Sequence, residues 1–227
     1  MVYEMALDPV SRTDTLADVV YTQLHDAIAT RALSPGARLT EAGVAQQLQV
    51  SKTPVREALL RLRQVGLIEP DGLRGNRVIK RSEQVLRDAY ETRQALEAFA
   101  VTAAAERGSD DALAHIRDLA EGSLTAAQAG DLDGYFGLDR EFHAAIAEAS
   151  GNQRIAGLIH DAATLMRALR HVEALAQAGI VASAYQHVAI AEALARRDEA
   201  SAARHMRDHL AAVEELFNDR DRPSASA

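Results

Sequence analysis

Asp139 and His143 stand four residues apart in a stretch of helical pattern, Asp139-Arg140-Glu141-Phe142-His143. Side chains at that spacing share one face of a helix, so this carboxylate and imidazole can hold a cation between them. His187 and His209 follow on two later helical stretches, at separations that suit closing a bundle around the same point. An Asp and three neutral imidazoles make a donor set for a divalent metal ion such as Zn, Ni or Mn. They leave positions open for water or a ligand carboxylate. His205 lies one turn before His209 and is the alternative fourth ligand.

A second constellation lies near the front of the chain. Lys52, Arg56 and Arg63, at spacings of four and seven, fall roughly opposite an apolar stripe of Val55, Ala58, Leu59, Leu62 and Val65. A helix entering the DNA major groove needs that division, with a buried stripe behind and basic side chains in front. Thr53 sits at the start of this helix, where its hydroxyl and the free backbone N–H groups suit a phosphate or a base edge. Arg56 is the candidate for a bidentate contact to guanine. Arg74 and Arg77 fall on a hairpin that could reach a flanking phosphate or the minor groove, and Arg38 leads into the preceding helix.

The elements that must carry these residues follow from periodicity. Residues 1–13 show none and read as a loose arm. Leu16, Val19, Val20, Leu24, Ala27 and Ile28 mark a first amphipathic helix, which Ser34-Pro35-Gly36 ends. Thr40 caps a short second helix with Val44, Ala45 and Leu48 buried. Ser51 or Thr53 caps the third, Pro54 lies in its first turn and Gly66 stops it. Leu67-Ile68-Glu69 and Arg77-Val78-Ile79 then read as two strands joined by residues 70–76. Three helices followed by a β-hairpin is the order of a winged helix-turn-helix, here over residues 14–81.

Beyond Ser82 the strand signals vanish. Six helices are expected at about 83–107, 110–129, 132–149, 153–171, 175–197 and 198–219. The breaks between them are Gly108-Ser109-Asp110, Gly130-Asp131, Ser150-Gly151-Asn152, the Gly179 region and Arg197-Asp198. The fold class is mainly α, with an all-α antiparallel bundle over residues 82–220 and a disordered tail over 221–227.

Composition narrows the function. Of 227 residues, 48% are hydrophobic and 26% charged, an ordinary globular balance. With no Cys, disulfides, thiolate metal sites and a cysteine nucleophile are excluded, which fits a reducing cytoplasm. No signal peptide is expected, because Glu4 and Asp8 interrupt the N-terminal stretch. The longest uncharged run, from Ala174 to Ala191, is too polar to enter a membrane. The net charge of −8 conceals a division: between Arg38 and Arg81 there are nine basic and four acidic residues. Positive charge is confined to the stretch that would meet phosphate.

The run Val50-Ser51-Lys52-Thr53-Pro54-Val55-Arg56-Glu57-Ala58-Leu59, then Arg61-Leu62 and Gly66-Leu67-Ile68, resembles the signature of the GntR family of bacterial regulators. Pro35-Gly36-Ala37-Arg38-Leu39-Thr40-Glu41 and Arg74-Gly75-Asn76-Arg77-Val78 are similar to the same pattern. The resemblance implies operator contacts from Ser51, Lys52, Thr53 and Arg56, with Gly75 at the wing tip. Lys52 stands where Arg is usual and Gln49 where Gly usually closes the second helix. The segments Tyr90-Glu91-Thr92-Arg93-Gln94-Ala95-Leu96-Glu97, Asp139 to His143, Ser150-Gly151-Asn152, His187 and Ala202 to His209 resemble the FCD ligand-binding domain of the FadR/VanR branch. Six helices rather than seven place the chain nearer the VanR-type subgroup.

By that resemblance Asp139, His143, His187 and His209 bind a divalent metal beside an effector pocket. Arg93 stands at a position that often meets an anionic effector; the competing reading is a salt bridge to Glu97, one turn on. Arg140, Asn152 and Arg167 are further effector candidates, although Asn152 also reads as a helix cap. The expected function is a homodimeric cytoplasmic regulator, most often a repressor in this family, that binds an inverted-repeat operator in double-stranded DNA and responds to a small carboxylate. Two other classes compete: a metal-dependent hydrolase or lyase on a helical scaffold, and a constitutive DNA-binding structural protein. The first leaves the basic region unexplained, and relief of DNA binding by a metabolite separates the family reading from the second.

Overall fold

The computed structural model describes residues 15–72, 75–80, 82–169 and 177–218, and the chain divides into two units, one ending at Ile79 and the other starting at Lys80. The expected arm over 1–13 and tail over 221–227 lie outside the described residues.

In the first unit, α1 (Leu16–Ala29) opens with a capping box: the Thr15 hydroxyl accepts from the Asp18 N–H while the Asp18 carboxylate takes the Thr15 N–H. Val20, Leu24 and Ile28 are its buried stripe. The helix stops at Ala29, before the Ser34-Pro35-Gly36 turn expected to end it. Arg31, at φ 60°, already turns the chain. A strand the sequence reading missed follows, β1 (Arg38–Leu39), so Arg38 belongs to a sheet rather than to a helix lead-in. Thr40 caps α2 (Glu41–Leu48) by accepting from Gly43 N–H at 3.1 Å. Gln49 closes that helix at φ 55°, the left-handed conformation for which Gly would be unstrained.

Helix α3 (Lys52–Gln64) buries Val55, Ala58, Leu59 and Leu62 against α1 and α2. The strands β2 (Ile68–Asp71) and β3 (Gly75–Val78) extend further toward the hairpin tip than expected. Ile68 pairs with Val78 and Asp71 with Gly75. β1 pairs with β3 through Arg38 and Arg77, giving an antiparallel sheet in the order β1-β3-β2. Two residues are too short a run to show an alternating pattern, which is why β1 was not legible.

The second unit holds six helices among the described residues: α4 (Glu83–Arg107), α5 (Asp110–Ala129), α6 (Leu132–Ala149), α7 (Gln153–Leu169), α8 (Gln177–Ala195) and α9 (Glu199–Asn218). Ser82, Ser109 and Asp131 cap the first three, and Gly130, at φ 75°, lets α5 turn into α6. The Gly179 region is not a break, because Gly179 lies inside α8. A Cβ there would come within 2.6 Å of Leu216 Cδ1, so the missing side chain makes room for α9. The core is dominated by small residues, Ala100, Ala104, Ala120, Ala191, Ala193 and Ala202, around Phe142, Ile146, Ile190 and Met206. Such close packing brings α6, α8 and α9 near enough for side chains from all three to meet.

Candidate metal centre and nucleic-acid interface

Ligand atoms of Asp139, His143, His187 and His209 all lie within 4.8 Å of one another. Asp139 Oδ1 is 3.7 Å from His143 Nε2 and 3.4 Å from His187 Nε2, and the Nε2 atoms of His143 and His209 are 3.3 Å apart. His205 is not among the converging residues; it lies one turn away and half-buried.

The opposite edge of each imidazole is held from behind. His187 Nδ1 meets Ser123 Oγ at 3.1 Å, while that hydroxyl donates to the Ala120 carbonyl. His209 Nδ1 donates to Gln186 Oε1 at 3.0 Å. His143 Nδ1 lies 2.5 Å from Glu97 Oε2, and Arg93 Nε donates to the other carboxylate oxygen, Glu97 Oε1. In the tautomer that turns each Nδ1 proton toward these neighbours, the three Nε2 lone pairs are free to meet a cation beside the Asp139 carboxylate. Phe142 stacks on His187 at a ring separation of 4.5 Å and walls one side.

That arrangement fits a cation. Buried His187 Nε2 has no hydrogen-bond partner, and three imidazole nitrogens and a carboxylate oxygen converge within 4.8 Å of one another. Burial first, with the neighbouring His143 and Arg93 adding to it, pushes His187 below the ordinary histidine value even though Asp139 pulls the other way. His209 is driven well below it by burial and by His187 and His143. Neutral imidazole is the form that ligates. Burial raises the Asp139 carboxyl, but its contact with His187 and the fields of His143, His187 and Arg93 outweigh that and leave it well below the usual range.

A cavity of about 550 Å³ adjoins the cluster and shares Asp139 and His143 with it. Arg93, Arg140 and Arg167 also line this cavity, between Ala144, Ile159 and Ala163. Arg93 is buried, pairs with Glu97 as its spacing suggested, and also lines the cavity. Asn152 is not on the wall. Its Oδ1 accepts from Ile155 N–H at 3.2 Å and caps α7, which corrects its candidacy as an effector contact.

In the winged unit, Ser51, Lys52, Thr53, Arg56 and Arg63 are exposed on α3, opposite its buried stripe. Ser51 caps the helix by position alone, and its hydroxyl makes no capping hydrogen bond. Arg56 is already engaged: Nε and Nη2 donate to Glu41 Oε1 and Oε2 at 2.9 and 2.8 Å. Those bonds hold Glu41 below its usual carboxylate value. Arg77 is tied to Asp71, and its Nε lies 3.7 Å from Glu69, while Arg38 pairs with Asp71 at 3.3 Å. The sheet arginines are thus held by acids in the free protein rather than left reaching outward. Arg74 lies outside the described residues. Gly75 starts β3, where a Cβ would meet the Asp71 carbonyl at 2.9 Å.

Glu41, Glu97, Ser123 and Gln186 were missed as partners. The Arg93/Glu97 spacing was visible, but Glu97 reaches His143 only because α4 packs on α6. For Ser123 and Gln186 no sequence signal exists.

A winged helix-turn-helix joined to an all-helical domain with its own cavity defines a DNA-binding transcription regulator. Comparison with known proteins gives the family: residues 16–78 match bacterial regulatory proteins of the gntR family, and residues 88–212 match the FCD domain. The chain belongs to the GntR family and carries an FCD domain. It is 32% identical to the Nta operon transcriptional regulator of Aminobacter aminovorans over 78% of this chain and 82% of that protein. It is 27% identical to the transcriptional repressor RspR of Escherichia coli over 95% and 93%. The solved structure of E. coli McbR/YncC superimposes with a TM-score of 0.76 at 26% identity, covering 92% of this chain and 99% of that one. Among the described residues no helix is long and apolar enough to cross a membrane.

Proposed function

We propose that this regulator is a homodimeric cytoplasmic repressor whose grip on an inverted-repeat operator is loosened by a small carboxylate. The effector binds in the helical cavity beside a divalent ion held by Asp139, His143, His187 and His209. The observation that carries this reading is the junction of cluster and cavity, which share Asp139 and His143 and place Arg93 on the same wall. A bound divalent ion supplies a Lewis-acidic position for an anionic oxygen.

Charge supports the effector class. Arg93 carries one positive charge, and Glu97 and Asp139 one negative each, so this buried set has one negative charge in excess. A divalent ion leaves one positive in excess, which a single carboxylate neutralises. Arg140 and Arg167 would meet the far end of the effector, with Ala144, Ile159 and Ala163 against its apolar part. On the DNA side, Lys52, Thr53 and Arg56 read bases and Ser51 and Arg63 meet phosphate, with the sheet residues Arg38, Gly75 and Arg77 and the adjoining Arg74 beside the flanking backbone. Two-fold symmetry supplies the second half-site. A repressor role agrees with the name given to RspR. Release requires that the effector bind the DNA-free arrangement more tightly than the DNA-bound one.

The test is a thermal-shift screen of small carboxylates with and without Zn²⁺. Each hit is then added to the complex with DNA selected from a randomised library. A carboxylate that raises the melting temperature only with the ion, and weakens the selected complex, is the expected result. Hits that ignore the ion, or leave DNA binding unchanged, contradict the reading.

A further inference from the structure

The three imidazoles differ in what stands behind them. His187 leans on a hydroxyl and His209 on an amide, both neutral; His143 leans on the Glu97 carboxylate. That carboxylate is in turn held by Arg93. All three members of the row are buried, with Arg93 3%, Glu97 1% and His143 3% exposed. Arg93 also stands on the cavity wall, so the row runs from the cavity, through a cation and an anion, to one ligand of the cluster.

We propose that Arg93 and Glu97 form a charge relay that sets the affinity of the metal centre, with Glu97 raising it through His143 and Arg93 restraining it. This rests on the metal reading above. A carboxylate behind a ligating imidazole raises its donor strength and fixes its orientation. A cation beside that carboxylate spends part of its negative charge, and at short range also repels the ion. The positive charge of Arg93 reaches Asp139, His187 and His209 as well as Glu97. The two residues therefore act with opposite signs. An anion entering the cavity and engaging Arg93 relieves the restraint, so ion and effector strengthen each other's binding.

The opposed signs separate a relay from a packing role. Zn²⁺ affinity is measured on the full chain by competition with a chromophoric chelator, in buffer free of carboxylates. Glu97→Gln should weaken Zn²⁺ binding about 10- to 100-fold, and Ser123→Ala, which removes only a neutral acceptor, should weaken it less. Arg93→Met should tighten binding by about threefold or more, and Arg93→Lys, which keeps the charge, should restore it toward wild type. If Arg93→Met alone fails to fold, the neutral pair Arg93→Met/Glu97→Gln should still bind Zn²⁺ more tightly than Glu97→Gln alone. Weaker binding in every variant, or no change in Glu97→Gln, overturns the relay while leaving the metal centre intact. A wild-type chain that takes up no Zn²⁺ overturns both.

Discussion

Asp139→Asn should abolish the protein's stabilisation by Zn²⁺. Oδ1 of Asp139 faces Nε2 of His187 at 3.4 Å and Nε2 of His143 at 3.7 Å. Its carboxylate is the one anion among the four converging side chains, and an amide of the same shape removes that charge. With free Zn²⁺ a hundredfold above its dissociation constant, wild type should gain about 2.7 kcal/mol. The variant should gain almost nothing, having lost the anionic ligand. The assay is thermal denaturation of both proteins in chelator and in Zn²⁺, and only wild type should melt higher with the ion than without it. A variant stabilised by Zn²⁺ as much as wild type refutes the ligand set.

Further outcomes follow from other parts of the chain. Gln49→Gly relieves a left-handed residue at the end of α2 and should stabilise the winged unit by about 0.5–1 kcal/mol in thermal melts. Arg56→Ala should lower the preference for library-selected over random DNA about 5- to 150-fold in competition binding. Glu41→Ala removes both the bidentate support of Arg56 and a charge that repels phosphate. Affinity for random DNA should therefore rise in the same assay while discrimination falls. Because burial holds His187 and His209 below the ordinary value near 6.5, the unfolded chain binds protons that the folded one refuses. Stability of the chelated protein should decline as pH falls from about 6.5, and His209→Gln should flatten that decline in melts run from pH 8 to pH 5.5.

Much of this was legible before any coordinates, for identifiable reasons. The six helices of the second unit carry Gly, Ser or Asp at most of their breaks and a clear apolar period, so their limits fell within a few residues of those observed. Four metal-ligand candidates were visible because Asp139 and His143 share a helix face and family resemblance pointed to the rest. What stayed hidden depends on packing between elements. Glu97 behind His143, Ser123 behind His187 and Glu41 beneath Arg56 are each 15 to 64 residues from their partners. Gly179 misled because a glycine that admits a neighbouring helix looks the same in sequence as one that ends its own. The expectation for Asn152 divided between a cap and an effector contact, and the hydrogen bond to Ile155 N–H decided for the cap.

Elemental analysis of protein purified without any chelator tests the central claim most directly. About one divalent ion per chain is the predicted stoichiometry, falling to background in His143→Ala/His187→Ala while the winged unit keeps its affinity for random DNA. Protein that carries no ion, or a double variant that retains it, would contradict the assignment of Asp139, His143, His187 and His209 as the metal centre.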